Sequence, residues 1–493
     1  MFFIDIKVNN LKIDKYQKKV IKSKSQNILV IAGAGSGKTF TIIAKIKYLI
    51  NRGLLPEEIL CISFTKASSE NLEEKLKKEN ININVKTFHK LGYEIIRQYK
   101  NVSLDDTILE KTIKKEVEKN KCLKEILKLK FIRLGYPDQI FNRLETNIIL
   151  NTKYKKILIE TIKTFINLYK SNNYRLKEFK NFYKVNNKHL YEEKKRHTCF
   201  LKLTKRIIIN YEKKLKKEKK IDYHDMINLS TKIIRTKGIF PYKYIIIDEY
   251  QDISLNKVKL IKEIQKKTNA KLMAVGDDWQ SIYSFTGSNL EVFTNFKQIF
   301  KKAKIIKLKN TYRNSKELIK ITKKFICKNQ KQIRKRLKSN KKNKTPIYVY
   351  YYKENIEEIW REIIKNISKK TLILGRNNND IEKIPIIKEN MQYLTIHKSK
   401  GLESEDTIIV NLEDHFNGIP SKIKDSEYLI YVKPKIDKYK YAEERRLFYV
   451  ALTRAKNNNY LLVKKDNPSE FIKEILKSNK KNIIEMPSTK NNH

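Results

Sequence analysis

A chain of 493 residues, 40% hydrophobic and 33% charged, has the length and composition of a soluble globular protein with several domains. No apolar run approaches the roughly 20 residues of a membrane span. The opening Met-Phe-Phe-Ile-Asp-Ile-Lys has no signal-peptide layout, so a cytoplasmic, bacterial protein is the first expectation, with a viral or organellar origin open. The 108 Lys and Arg residues against 54 Asp and Glu give a formal charge of +54, which points to a polyanion partner, nucleic acid first. A competing source of that charge is A/T-rich coding, which favours Lys, Asn and Ile alike. The cysteines at 61, 122, 199 and 327 form no C-x-x-C pair, which argues against a zinc ribbon, an iron–sulfur site or a disulfide framework.

Along the chain, the apolar run Ile28–Ile31 leads into Ala32-Gly33-Ala34-Gly35-Ser36-Gly37-Lys38-Thr39, and an apolar-periodic stretch follows from Thr41 to Ile50. Strand, glycine-rich turn and helix are the setting of a phosphate-binding loop. Backbone N–H groups and the helix N-terminus would cradle the phosphates, Lys38 would reach the β- and γ-phosphates, and the Thr39 hydroxyl would ligate Mg²⁺. ATP with Mg²⁺ is the expected cofactor pair. Ala32 replaces the usual first glycine.

A strand at Glu58–Phe64, a helix from about Ala67 to Glu79 and a short strand at Asn84–Thr87 come next. From about 96 to 235 apolar residues recur at three- and four-residue spacing, as in Ile162, Phe165, Ile166 and Tyr169, and the stretch reads as a helical insertion. Strand signals return at Tyr244–Ile247, Lys271–Val275 and Lys304–Leu308. A second α/β series follows at Ile347–Tyr352, Thr371–Leu374, Tyr393–Ile396, Thr407–Leu412 and Tyr460–Val463. The expected fold is α/β with two RecA-like motor domains. Residues 1–95 with 221–308 form the first, 96–220 the insertion, 309–465 the second, and 466–493 a tail that frays beyond about 478.

Tyr244–Ile247 delivers Asp248 and Glu249 to a strand end, where ligands bind in α/β sheets. Asp248 would hold Mg²⁺ and Glu249 would polarise the attacking water. The segment Val275-Gly276-Asp277-Asp278-Trp279-Gln280-Ser281-Ile282-Tyr283-Ser284-Phe285-Thr286-Gly287 is more specific. With it, the chain resembles the UvrD/Rep family of superfamily 1 DNA helicases, and its Trp and Phe-x-Gly ending look most like the helicase IV branch. Other segments resemble that family in its order: Gln17; Ser63–Ala67; Val85–His89; Ile221–Met226; Asn310–Arg313; Thr395–Glu403; and Glu443–Lys456.

The resemblance implies roles. Gln17 reads adenine, Tyr312 stacks on it, and Glu403 accepts from the ribose hydroxyl. Gln280 senses the γ-phosphate, and Arg313 and Arg454 act as arginine fingers, for which the planar guanidinium is suited. Phe64, Thr65, Thr87, Phe88, His89, Tyr283, Phe285 and His397 are candidates for contact with single-stranded DNA, where aromatic rings stack on bases of any sequence. Core packing is the competing reading for each aromatic.

Departures from the family are also visible. Phe40 stands where many relatives have an arginine on adenine, and Thr286 where many have the arginine of Trp-Arg-Gly. Only about eighty residues separate Arg313 from His397, so the accessory domain of larger relatives is expected to be absent, as is an N-terminal extension. The reading is a minimal 3′–5′ translocase and helicase acting on single strands and single-strand/duplex junctions, as a monomer or with weak self-association. Three alternatives stand beside it: a translocase that strips or loads proteins without processive unwinding, an RNA-stimulated motor, and a non-catalytic descendant. The last is disfavoured because Lys38, Asp248, Glu249 and both arginines are present.

Overall fold

The computed structural model describes residues 12–119, 126, 153–238, 240–367, 369–433, 437 and 439–486. Its strands in chain order are β1 Asn27–Ile31, β2 Ile59–Ser63, β3 Lys86–Thr87, β4 Ser103–Leu104, β5 Lys220–Ile221, β6 Tyr244–Ile247 and β7 Lys271–Gly276, then β8 Ala303–Lys307, β9 Ile347–Tyr352, β10 Thr371–Gly375, β11 Met391–Thr395, β12 Asp406–Ile409, β13 Asn459–Lys464 and β14 Ile483–Met486. Two six-stranded sheets result, ordered β3-β2-β6-β7-β1-β8 and β11-β10-β12-β13-β9-β14. The pairings within both are parallel.

Parallel strands require helical crossovers on both faces, so their central strands are apolar throughout. In β1 the side chains alternate: Leu29 and Ile31 enter one core, Ile28 and Val30 the other. In β6, Ile245 and Ile247 face the first core while Tyr244 and Ile246 face the second. The second sheet repeats the scheme, with Ile409 and Leu374 on one face and Ile408 and Ile373 on the other. Polar caps fix where crossover helices begin: Thr65 Oγ1 accepts from Ser68 N, and Ser315 Oγ from Leu318 N.

The insertion has its own core. The helices Thr107–Glu118, Lys153–Ser171, Phe179–Asn186 and Tyr191–Lys217 pack around Phe165, Phe182, Phe200 and Tyr211. The parallel pair β4–β5, which the sequence pattern does not reveal, joins its two ends. Residues 120–125 and 127–152, Cys122 among them, lie outside the described residues.

The expected frayed tail is a correction. The helix Glu470–Asn479 buries Phe471, Ile472 and Ile475, and β14 adds a parallel edge strand to β9. The Lys- and Asn-rich setting of that short apolar run conceals it. Residues 487–493 lie outside the described residues. The interval between Arg313 and His397 supplies β9, β10 and β11, three of the six strands of the second sheet. Among the described residues no helix is long and apolar enough to cross a membrane.

Candidate functional site

The strand β1, one in from the β8 edge of the first sheet, leads into the loop Ala32–Thr39. β1 lies between β7 and β8, and Ala32 N extends the ladder by donating to Gly276 O at 2.9 Å. Ser36 Oγ donates to Gly33 O at 2.8 Å and accepts from Gly33 N at 3.1 Å, which shapes the turn internally. Gly35 has φ +66°, and a Cβ there would lie 2.3 Å from Arg313 Cβ, so only glycine fits. The helix Lys38–Ile50 starts immediately beyond Gly37 and aims its free N–H groups and dipole into the loop.

At the end of β6, Glu249 adopts φ +51°, uncommon for a non-glycine residue, and its carboxylate meets Lys38 Nζ at 2.8 Å. Burial alone would lower the Lys38 pKa; the charges of Glu249, Asp248 and Asp277 outweigh it and hold the ammonium above its ordinary value. Burial would raise Glu249, yet Lys38 and Lys400 pull it well below the usual carboxylate range. Asp248 moves the other way, pushed up by burial and by the neighbouring Glu249. Two buried acids with opposed shifts suit two roles, one ionised base and one cation ligand. Among the described residues no group of three or more His, Cys, Asp or Glu could hold a metal alone. The oxygens of Thr39 and Asp248 fit a Mg²⁺ that completes its shell with water and phosphate, as that hard cation commonly does.

The second sheet's side of the molecule closes on this loop. Thr311 Oγ1 donates to Ala34 O at 2.8 Å and Tyr312 N to Gly35 O at 2.9 Å. Arg313 forks onto Glu403 at 2.9 Å and also donates to Thr453 O at 3.2 Å. Glu403 is thus engaged by Arg313 here. Arg454, 1% exposed, gives its hydrogen bonds to neutral acceptors: Val450 O, Leu402 O and, at 3.0 Å, Gln280 Oε1. Burial and the nearby charge of Arg313 press its pKa down. Gln280 Nε2 in turn donates to Asp277 Oδ2 at 2.6 Å.

Two lysines without an assigned role in the motifs complete the junction. Lys335, 2% exposed, pairs with Asp277 and, at 2.7 Å, with Asp278, and lies 4.4 Å from the Trp279 ring centre. Nothing marks it among the lysines of Gln332–Lys338. Lys400 pairs with buried Asp252 and donates to Gln280 O at 2.6 Å. Trp279 packs edge-on against Tyr449 at 5.4 Å.

Beside Gly37 the remaining nucleotide candidates converge. A Cβ at Gly37 would lie 2.9 Å from Gln17 Nε2, 3.7 Å from the Tyr312 ring and 3.8 Å from Phe40 Cβ. Asp14 fixes this group: it caps the helix Lys15–Ile21 in a box with Gln17, and its Oδ2 accepts from Tyr312 OH at 2.7 Å.

The strand candidates divide. Phe64 stacks on Tyr283 at 5.5 Å, Tyr283 lies 6.0 Å from Phe285, and Phe285 meets His397 at 5.6 Å. This row spans both sheets, Tyr283 OH donates to His397 O at 2.9 Å, and Phe285 is 53% exposed. Lys257 and Lys400 lie over Phe64 and Tyr283. Burial and Arg376 keep His397 neutral, its pKa lowered to about 4. Phe88 is a correction: it packs into the first sheet's core, and its ring is not on the surface. Thr65 and Thr87 both cap helices. His89 turns to Tyr223, with ring centres 5.4 Å apart, and burial drives its pKa down to about 3.

Two parallel six-stranded sheets, with the glycine-rich loop Ala32–Thr39 at their junction and Arg313 of the second against it, define a two-domain RecA-like architecture. The chain matches the family models for the UvrD/REP helicase N-terminal domain over residues 13–301 and the UvrD-like helicase C-terminal domain over 378–466. It is 28% identical to DNA helicase IV of Escherichia coli (strain K12), over 96% of this chain and 71% of that protein. It is 29% identical to the ATP-dependent DNA helicase Rep of Buchnera aphidicola subsp. Acyrthosiphon pisum (strain APS), over 81% of this chain and 61% of the relative. A probable DNA helicase of Mycoplasma pneumoniae (strain ATCC 29342 / M129 / Subtype 1) is 24% identical over 94% of this chain and 87% of its own. The chain thus spans about three fifths of the Rep relative's length. This protein belongs to the UvrD/Rep helicase family.

Proposed function

We propose that the protein is a DNA-stimulated ATPase that moves 3′ to 5′ along single-stranded DNA and opens duplex at junctions. One observation supports the reading: a single segment reaches both candidate sites. Asp277–Gly287 places Gln280 on Arg454 in the nucleotide cleft and, three and five residues later, Tyr283 and Phe285 in the aromatic row.

Lys38 releases Glu249 when it takes up the charge of the β- and γ-phosphates. Glu249 then accepts a proton from water as the water oxygen bonds to the γ-phosphorus and the bond to the β–γ bridging oxygen breaks. Arg313 and Arg454 neutralise the transferring phosphoryl group, which draws the two sheets together; product release lets them part. A Mg²⁺ held by Thr39 and Asp248 would neutralise further phosphate charge.

A second reading, a translocase that displaces proteins without processive unwinding, is favoured by the short interval between Arg313 and His397, whose strands β9, β10 and β11 all belong to the second sheet. A forked-duplex assay run beside displacement of streptavidin from a biotinylated oligonucleotide separates the two. Unwinding by the isolated protein supports the first; displacement without unwinding supports the second. The bacterial cytoplasm is the setting proposed for either.

A further inference from the structure

Lys170 and Ser171 close the helix Lys153–Ser171 and Asn172 follows it, and all three polar side chains are buried. Lys170, 5% exposed, pairs with Asp222 at 2.6 Å and Asp225 at 2.8 Å, where the helix Tyr223–Lys237 begins, and with Glu212 at 3.1 Å. Ser171 abuts Gly287, which closes the turn carrying Phe285. Gly287 has φ +91°, and a Cβ there would lie 2.3 Å from Ser171 Oγ. Asn172 donates from Nδ2 to Leu168 O at 2.9 Å and to Val432 O at 2.7 Å.

Val432 follows the 3-10 turn Glu427–Tyr431, which lies between β12 and β13 in the chain but docks in the insertion's core. There Tyr428 stacks on Phe200 at 4.2 Å and 6°, and Tyr431 OH shares a 2.6 Å hydrogen bond with His197 Nδ1. Buried polar groups cost free energy unless satisfied. Here Lys170 is satisfied by Asp222 and Asp225 of the first motor domain and Glu212 of the insertion, Ser171 by Leu168 O of its own helix, and Asn172 by Leu168 O and by Val432 O of the second motor domain. Close-packed interiors transmit small displacements, so a shift of this helix end moves Gly287 and Phe285 with it.

We propose that Lys170-Ser171-Asn172 is a joint through which the insertion and the second motor domain together position the Ser284–Gly287 turn for single-stranded DNA, with Ser171 and Asn172 as positioning residues. The proposal rests on the strand-binding reading above and adds a role for the insertion.

The test measures binding of a fluorescent single-stranded oligonucleotide by anisotropy, and ATPase rate against oligonucleotide concentration. Asn172→Ala is expected to raise the half-saturating concentration about tenfold in both, with turnover at saturation within about twofold of wild type. Tyr431→Phe, which keeps its ring in the core, shifts both the same way, and the double variant falls short of the product of the two. If Asn172→Ala does not fold, Tyr431→Phe decides alone. Unchanged half-saturation overturns the joint, as does lost turnover at saturation without a change in half-saturation. Wild-type protein that binds the oligonucleotide but hydrolyses ATP indifferently to it refutes the motor reading, and the anisotropy comparison still decides the joint.

Discussion

Arg454 and Gln280 share a 3.0 Å hydrogen bond across the junction of the two sheets, the guanidinium donating to the amide oxygen. Gln280 also donates to Asp277, so the arginine from the second motor domain is tied through Gln280 to the residue that follows β7. Arg454→Ala should lower turnover by about 10³-fold or more with ATP binding largely kept. Arg454→Lys should not restore it, since an ammonium lacks the planar fork. Single-turnover phosphate release checks both; a lysine variant near wild type would remove the finger role.

Lys38→Ala should abolish turnover and weaken ATP binding. Glu249→Gln should abolish turnover yet bind ATP, because the amide keeps the shape and loses the base. Filter binding beside a phosphate-release assay distinguishes the two phenotypes, and a Glu249→Gln enzyme that turns over normally would contradict the assignment.

Lys335 makes a sharper stability prediction. Asp277 and Asp278 are 0% and 1% exposed, and Lys335 pairs with both. Lys335→Met keeps the apolar stem over Trp279 but strips the charge, leaving two buried carboxylates unpaired at a cost of about 3–5 kcal/mol. Denaturant unfolding with unchanged slope measures it; a loss below about 1 kcal/mol would show that water or another cation takes the ammonium's place.

The opposed shifts of Asp248 and Glu249 predict a pH dependence. Burial, reinforced by Glu249, lifts Asp248 to about 6, so its carboxyl takes a proton as pH falls through that value and stops ligating Mg²⁺. Glu249 is held low against burial by Lys38 and Lys400, and Lys400 still faces it once Lys38 turns to the phosphates, so it remains ionised across the same range. The half-saturating Mg²⁺ concentration should rise below about pH 6 while turnover at saturating Mg²⁺ stays flat. A fall in saturated turnover with constant half-saturation would place the titration on the base instead.

How far residues could be read without coordinates follows from how local their logic is. The loop at Ala32–Thr39 and the acids after Tyr244–Ile247 announce themselves because strand, turn and polar residue are contiguous. Lys335 is silent: its partners lie nearly sixty residues upstream, and it stands among other lysines. Phe88 misleads because its segment is recognisable while its ring direction is set by tertiary packing. β14 is hidden by a polar setting that its edge position in the sheet permits. The dock of Tyr428 and Tyr431 into the insertion joins segments more than two hundred residues apart, and no pattern in either segment signals the other.

The proposed motor couples strand binding to ATP hydrolysis through Asp277–Gly287. Steady-state ATP hydrolysis with and without a single-stranded DNA oligonucleotide tests it most directly. Turnover should rise about tenfold or more at saturating DNA, and Lys38→Ala should abolish it. Equal rates with and without DNA would contradict the coupling.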